Sequence, residues 1–157
     1  MYKLIPYKTC FIISLVLMLS ACATGQQKNE QAAINIDEVE KLAAAAYERG
    51  DMVESEKYYA QLVRELPQEV LPLFRLGNVY AATNRPDAAI IAYREVLIRD
   101  PYYSKAWFNM AIVQLKQSAH SFHEMQIYID ASDPLYKRSK ETLDGILELI
   151  KGDDNKN

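Results

Sequence analysis

The feature that most constrains this chain is a long, regular stride in its apolar positions. The shift that carries Val39 onto Leu73 also carries Leu73 onto Trp107, and it brings Leu42, Leu76 and Met110 into register. The small residues Ala43, Gly77 and Ala111 align too, and Tyr59 meets Tyr93, Leu62 meets Val96 and Pro67 meets Pro101. A repeat of this length is one supersecondary unit. It cannot bury its own apolar face, so copies must stack. In the clearest unit Leu73, Leu76 and Tyr80 lie at i, i+3, i+7, one stripe of a helix, and Ala89, Tyr93 and Val96 form a second. The fold class this implies is all-α, and 5 Gly and 6 Pro in 157 residues are too few turn signals for an all-β chain.

The spacing predicts helices at about 36–49, 53–65, 70–83, 86–99 and from 103 onward. Gly50 and Asn84 occupy the turns within units, where a left-handed conformation is useful. Pro67 and Pro101 stand just past helix ends, where they block continuation. Pro72 falls in a first helical turn, where it is tolerated, and Pro86 opens a helix.

The unit 70–103 resembles a tetratricopeptide repeat. That family places Trp, Leu, Gly, Tyr, Ala, Phe, Ala and Pro at positions 4, 7, 8, 11, 20, 24, 27 and 32. Here those places hold Leu73, Leu76, Gly77, Tyr80, Ala89, Tyr93, Val96 and Pro101. Residues 36–69 match more loosely, with Ala46 for Tyr and Ser55 for Ala. The resemblance implies antiparallel helix pairs that cross closely at Gly77 and Ala89, with Tyr93 filling the gap beside them. It extends over about residues 36–130.

The third unit departs after a good start. Trp107, Met110 and Ala111 are in register, but Gln114 replaces the Tyr, and His123, Ile127 and Asp130 hold the second-helix places. No Gly or Pro occurs between Ser104 and Asp133. Either a shortened turn lies near Gln117-Ser118-Ala119, or one long helix runs to about Ile129. The shortened turn is favoured, because a pair of helices buries the repeat better. Ser132-Asp133-Pro134 then signals a new helix to about Ile150. Leu143, Lys140 and Asp144 place it as a repeat's first helix with a polar outer face, a solenoid cap. The expected architecture is a solenoid of two clear repeats, a degenerate third and a C-terminal capping helix. Its domain spans 35–151, with a disordered polar tail at 152–157.

The N-terminal segment has a different character. Lys3 and Lys8 precede an almost wholly apolar stretch, Cys10–Leu19, the layout of a secretory signal. As a helix it spans about 15 Å, half a bilayer core, so a permanent transmembrane helix is disfavoured. The segment ends Leu19-Ser20-Ala21-Cys22, which resembles the bacterial lipobox Leu-(Ala/Ser)-(Gly/Ala)-Cys. That resemblance implies removal of residues 1–21 and attachment of diacylglycerol and an N-acyl chain to Cys22, which then anchor stably. Ala23 in second place implies, by enterobacterial sorting, the periplasmic face of the outer membrane. Residues 22–34 are then a lipidated Cys and a flexible polar tether. Cys22 would be the only thiol of the mature chain, leaving no disulfide.

Charge excludes a further class. Lys and Arg number 18 against 21 acids, a formal −3, and loss of Lys3 and Lys8 makes 16 against 21, or −5. No nucleic-acid partner is expected. Catalytic residues and a metal site are not expected either. His120 and His123 lie three apart beside Glu124, but no further ligand cluster is near, so they are expected at the surface. No phosphate-cradling Gly loop exists, and the charge runs 38–41 and 137–141 suit solvated helix faces. No cofactor is expected beyond the lipid.

By the resemblance, a partner groove is lined by positions 2, 5, 9 and 12 of each repeat. These are Asp37, Glu40, Ala44 and Tyr47, then Leu71, Phe74, Asn78 and Ala81, then Lys105, Phe108, Ile112 and Leu115. The subclass that captures chaperone tails needs a Lys and an Arg where Glu40 and Asn109 stand, so a carboxylate clamp is not expected. Leu71, Phe74, Asn78, Phe108 and Ile112 form the candidate site. Its apolar members would hold an envelope protein's peptide or amphipathic helix, and Asn78 would pin the backbone. The alternative is that the C-terminal helix fills this surface. The implied function is a non-enzymatic interaction scaffold, similar to the small lipoproteins of type IV or Tad/Flp pilus biogenesis. An adaptor for peptidoglycan enzymes or outer-membrane protein insertion is the other possibility.

Overall fold

The computed structural model describes residues 35–154, and these contain six helices and no strand. They are α1 (Ile36–Glu48), α2 (Met52–Glu65), α3 (Val70–Ala82), α4 (Pro86–Arg99), α5 (Ser104–Tyr128) and α6 (Pro134–Asp154). The expectations for residues 1–34, Cys22 among them, lie outside the described residues. Each helix packs on the next in sequence, and α3 also touches α5, the connectivity of an all-α helical-hairpin solenoid.

The turns show why the repeat has its period. After α1, Gly50 takes φ 75°, its N–H donates to the Tyr47 carbonyl at 3.0 Å, and the Asp51 N–H donates to that of Ala46 at 2.9 Å. After α3, Asn84 takes φ 55°, its N–H donates to the Ala81 carbonyl, and the Arg85 N–H reaches that of Tyr80 at 2.9 Å. These are two Schellman motifs one repeat apart, each satisfying carbonyls that the helix end leaves open. Asn35 and Asp51 cap the next donors, their side chains accepting from the Glu38 and Glu54 N–H groups.

Close crossing dictates the small residues. A Cβ on Gly77 would stand 2.7 Å from the Tyr93 ring, so only glycine lets α3 and α4 approach. In the first hairpin Ala43 and Ser55 do the same work. Ser55, fully buried where the family has Ala, donates its hydroxyl to the Ala43 carbonyl at 3.2 Å. The core runs through the stack in overlapping parts. Ala43, Tyr59, Leu62, Leu76 and Val79 join α1–α3, and Leu73, Phe74, Ala89, Tyr93, Val96, Ala106 and Met110 join α3–α5.

The shortened turn at 117–119 is not there: α5 is one unbroken helix of 25 residues. The reason is that α5 is apolar on two sides. Ala106, Met110 and Val113 face α4, while Leu115, Ala119 and Phe122, on the opposite side by helical periodicity, face α6. Gln117 is tied down, its amide donating to Asp87 at 2.8 Å, and no residue there favours a left-handed turn.

The last helix also differs from expectation. Asp133 caps it, accepting from the Leu135 N–H at 2.8 Å, and Asp130 organises the turn before it by accepting from Ser132. Those bonds from Ser132 hold the Asp130 carboxyl below its usual range. The helix continues to Asp154, so Gly152 and its neighbours are helical, not a tail from residue 152. It packs on α5 through Leu143, Ile146 and Ile150. It caps the solenoid as the second member of the third hairpin, rather than as the first helix of a fourth. Among the described residues no helix is long and apolar enough to cross a membrane.

Candidate functional site

The first helices of the three hairpins, α1, α3 and α5, place side chains around a cleft of about 790 Å³. Tyr47 comes from α1, Asn78 and Ala81 from α3, and Asn109, Ile112, Lys116 and His120 from α5. These four α5 residues, with Val113 and Gln117 beside them, lie at i, i+3, i+7 and i+11, one face of a continuous helix.

Asn78 is the centre of its chemistry. Its side-chain oxygen accepts two hydrogen bonds, from the Tyr93 hydroxyl at 2.9 Å and from the Asn109 amide nitrogen at 2.8 Å. Burial pushes the Tyr93 phenol up to about 12, so it stays a protonated donor through the physiological range. The bonds fix the orientation of both amides. The Asn78 NH₂ and the Asn109 carbonyl oxygen take no partner among the described residues. Two donors and an acceptor therefore stand preset at the cleft, between the apolar walls of Ala81 and Ile112. An extended peptide presents the complementary set, because its main chain alternates N–H and C=O.

The expected groove residues separate into three groups. Tyr47, Asn78, Ala81 and Ile112 line the cleft. Phe108, Ile112 and Leu115 line a shallower cleft of about 580 Å³, walled on its other side by Gly145, Glu148, Leu149 and Gly152 of α6. The C-terminal helix thus runs along the third-repeat part of the stripe and leaves the α1–α3–α5 cleft open. The remaining residues line neither. Leu71, Asp37, Glu40 and Lys105 are exposed at helix starts, and Ala44 is half-buried in α1.

Phe74 requires correction. It is 5% exposed and belongs to the core, its ring 5.1 Å from that of Tyr103 and 5.9 Å from that of Tyr93. Tyr103, in the turn before α5, covers the face that position 5 would otherwise turn to a partner.

Asn109, the Tyr93 hydroxyl, Lys116 and His120 were not legible as site residues. For His120 the missing signal was the continuity of α5, since a break at 117–119 takes it off the face that Asn109 begins. His120 and His123 are both exposed, and no three His, Cys, Asp or Glu side chains cluster among the described residues.

A family profile described as tetratricopeptide repeat matches residues 40–104 and again 74–121, together more than half of the chain. The chain belongs to the tetratricopeptide-repeat family. No curated protein matches it. Tetratricopeptide repeats mediate protein–protein binding and are typically non-enzymatic scaffolds. In this tetratricopeptide-repeat protein the cleft lies across the first helices of the hairpins.

Proposed function

We propose that this protein is a non-catalytic peptide-binding adaptor, lipid-anchored through Cys22 to the periplasmic face of the outer membrane. It helps assemble or localise an envelope complex such as a pilus or secretion system. The observation that carries the binding half is the Asn78–Tyr93–Asn109 cluster, whose free amide valences suit the main chain of an extended segment. Leu19-Ser20-Ala21-Cys22 after an apolar stretch supports the anchoring half. The adaptor takes no cofactor other than the lipid.

The test is capture from detergent-solubilised envelopes by the tagged full chain, beside Asn78→Ala/Asn109→Ala. An envelope protein retained by the parent and lost by the variant is expected. Equal capture by both overturns the role of the cleft. Cys22→Ala should leave the chain unprocessed and unlipidated. Its continued processing and fractionation with outer membrane would sink the anchor.

A further inference from the structure

The outer face of α4 carries a stripe unlike its counterpart one repeat earlier. Ile91 and Ile98, two helical turns apart, are 67% and 74% exposed, and Tyr102, just past the helix, is 94% exposed. Trp107 extends the patch, held beside Pro101 by its ring N–H on the Pro101 carbonyl. At the equivalent places in the preceding repeat stand Lys57, Arg64 and Gln68, the side chains expected of a solvated face. The two hairpins share a backbone plan, so the change is not demanded by the fold. Val53 is as open, but a stripe of apolar residues on one helix face, rather than a single one, is a candidate contact surface.

The charges beside the stripe select the occupant. Arg94 flanks it on one edge and Glu95 on the other. Arg94 makes no ion pair among the described residues. Glu95 holds Arg99 through Oε1 alone, at 2.9 and 3.1 Å, which leaves Oε2 open. When two identical helices lie parallel about a two-fold axis, the left edge of one meets the right edge of the other. Arg94 then faces Glu95 of the second copy, twice over, while Ile91 meets Ile91 and Ile98 meets Ile98. In the antiparallel arrangement the same edges meet, Arg94 against Arg94 and Glu95 against Glu95, and like charges repel.

We propose that this face pairs two copies of the chain, α4 against α4 in parallel. It is separate from the peptide cleft and independent of the lipid anchor. Two isoleucines and two aromatic side chains per copy make a narrow contact, so a dimer of micromolar affinity is expected.

The test is sedimentation of the detergent-solubilised full chain from about 1 to 100 μM. A concentration-dependent monomer–dimer equilibrium is expected. Ile91→Lys/Ile98→Arg, which gives this repeat the residues of the first, should be monomeric with an unchanged melting temperature. Arg94→Glu should weaken pairing about tenfold by setting acid against acid. On oxidation, Ile98→Cys copies should join each other and Ile91→Cys copies should do likewise. Joining only when the two variants are mixed means opposed helices and overturns the proposal. So does a monomer at every concentration, and so does a monomer that binds anionic vesicles through these isoleucines, for which a membrane is the occupant.

Discussion

At the scale of single residues, the small and the ring-bearing positions decide how closely the hairpins pack. Gly77 is fixed by the Tyr93 ring, because an added Cβ would meet two of its carbons below 3.0 Å. Gly77→Ala must push α3 from α4 or turn Tyr93 out of its site, and should cost about 1–3 kcal/mol in urea unfolding. An unchanged midpoint would show that the helices do not cross there. Ser55→Ala should behave differently. It removes the hydroxyl bonded to the Ala43 carbonyl, but that carbonyl already serves a helix, so the change should stay within about 1 kcal/mol. Gly77, Ala89 and Tyr93 were legible in the sequence because a short-range pattern names them. Phe74 was not, because its burial depends on Tyr103, which lies beyond the whole of α4 in sequence and arrives only when the third hairpin docks.

At the scale of elements, a charged tie joins the first two hairpins. Arg85, at the turn before α4, makes a paired contact with Glu56 of α2 and lies over the Tyr80 ring, 4.6 Å from its centre. The Arg85 hydrogen bonds hold the Glu56 carboxyl below the usual glutamate range. A lowered folded-state value means the tie stabilises at pH above the ordinary glutamate pKa. It is lost as pH falls through the folded one. Both side chains are a third or more exposed, so screening limits the contribution to about 0.5–1 kcal/mol. Glu56→Gln should cost that much at pH 7 and nothing near pH 2, where the parent's carboxyl is also protonated; an equal loss at both pH values would assign the effect to packing. The Schellman turns were legible because Gly50 and Asn84 are local signals. The continuity of α5 was not, because it rests on Leu115, Ala119 and Phe122 meeting a helix that begins at residue 134. Ser118→Pro separates the two possibilities. In a turn it would be tolerated, but inside α5 it should cost about 3 kcal/mol or more by urea unfolding.

At the scale of the whole molecule, nearest-neighbour packing makes stability divisible. The α5–α6 cluster of Ala119, Ile146 and Ile150 shares no residue with the clusters that join α1–α5. The third hairpin can therefore open while the first two stay closed, as expected of a quasi-one-dimensional stack. Ile146→Asp places a carboxylate in that cluster, with α5's Leu115 and Phe122 packed around it. Hydrogen exchange should then speed up by orders of magnitude in α6 and in α5 beyond about residue 115, while α3 and α4 keep their protection. The cleft should respond unevenly. Asn78 and Tyr93 belong to the part that stays closed, and Asn109 lies in the half of α5 that packs on α4, but Lys116 and His120 lie where the helix loosens. A bound peptide should therefore keep its main-chain contacts to the amide pair and lose those to Lys116 and His120. Loss of protection in every helix at once would mean that the solenoid unfolds as a single unit, and the independent opening of its terminal hairpin would not hold.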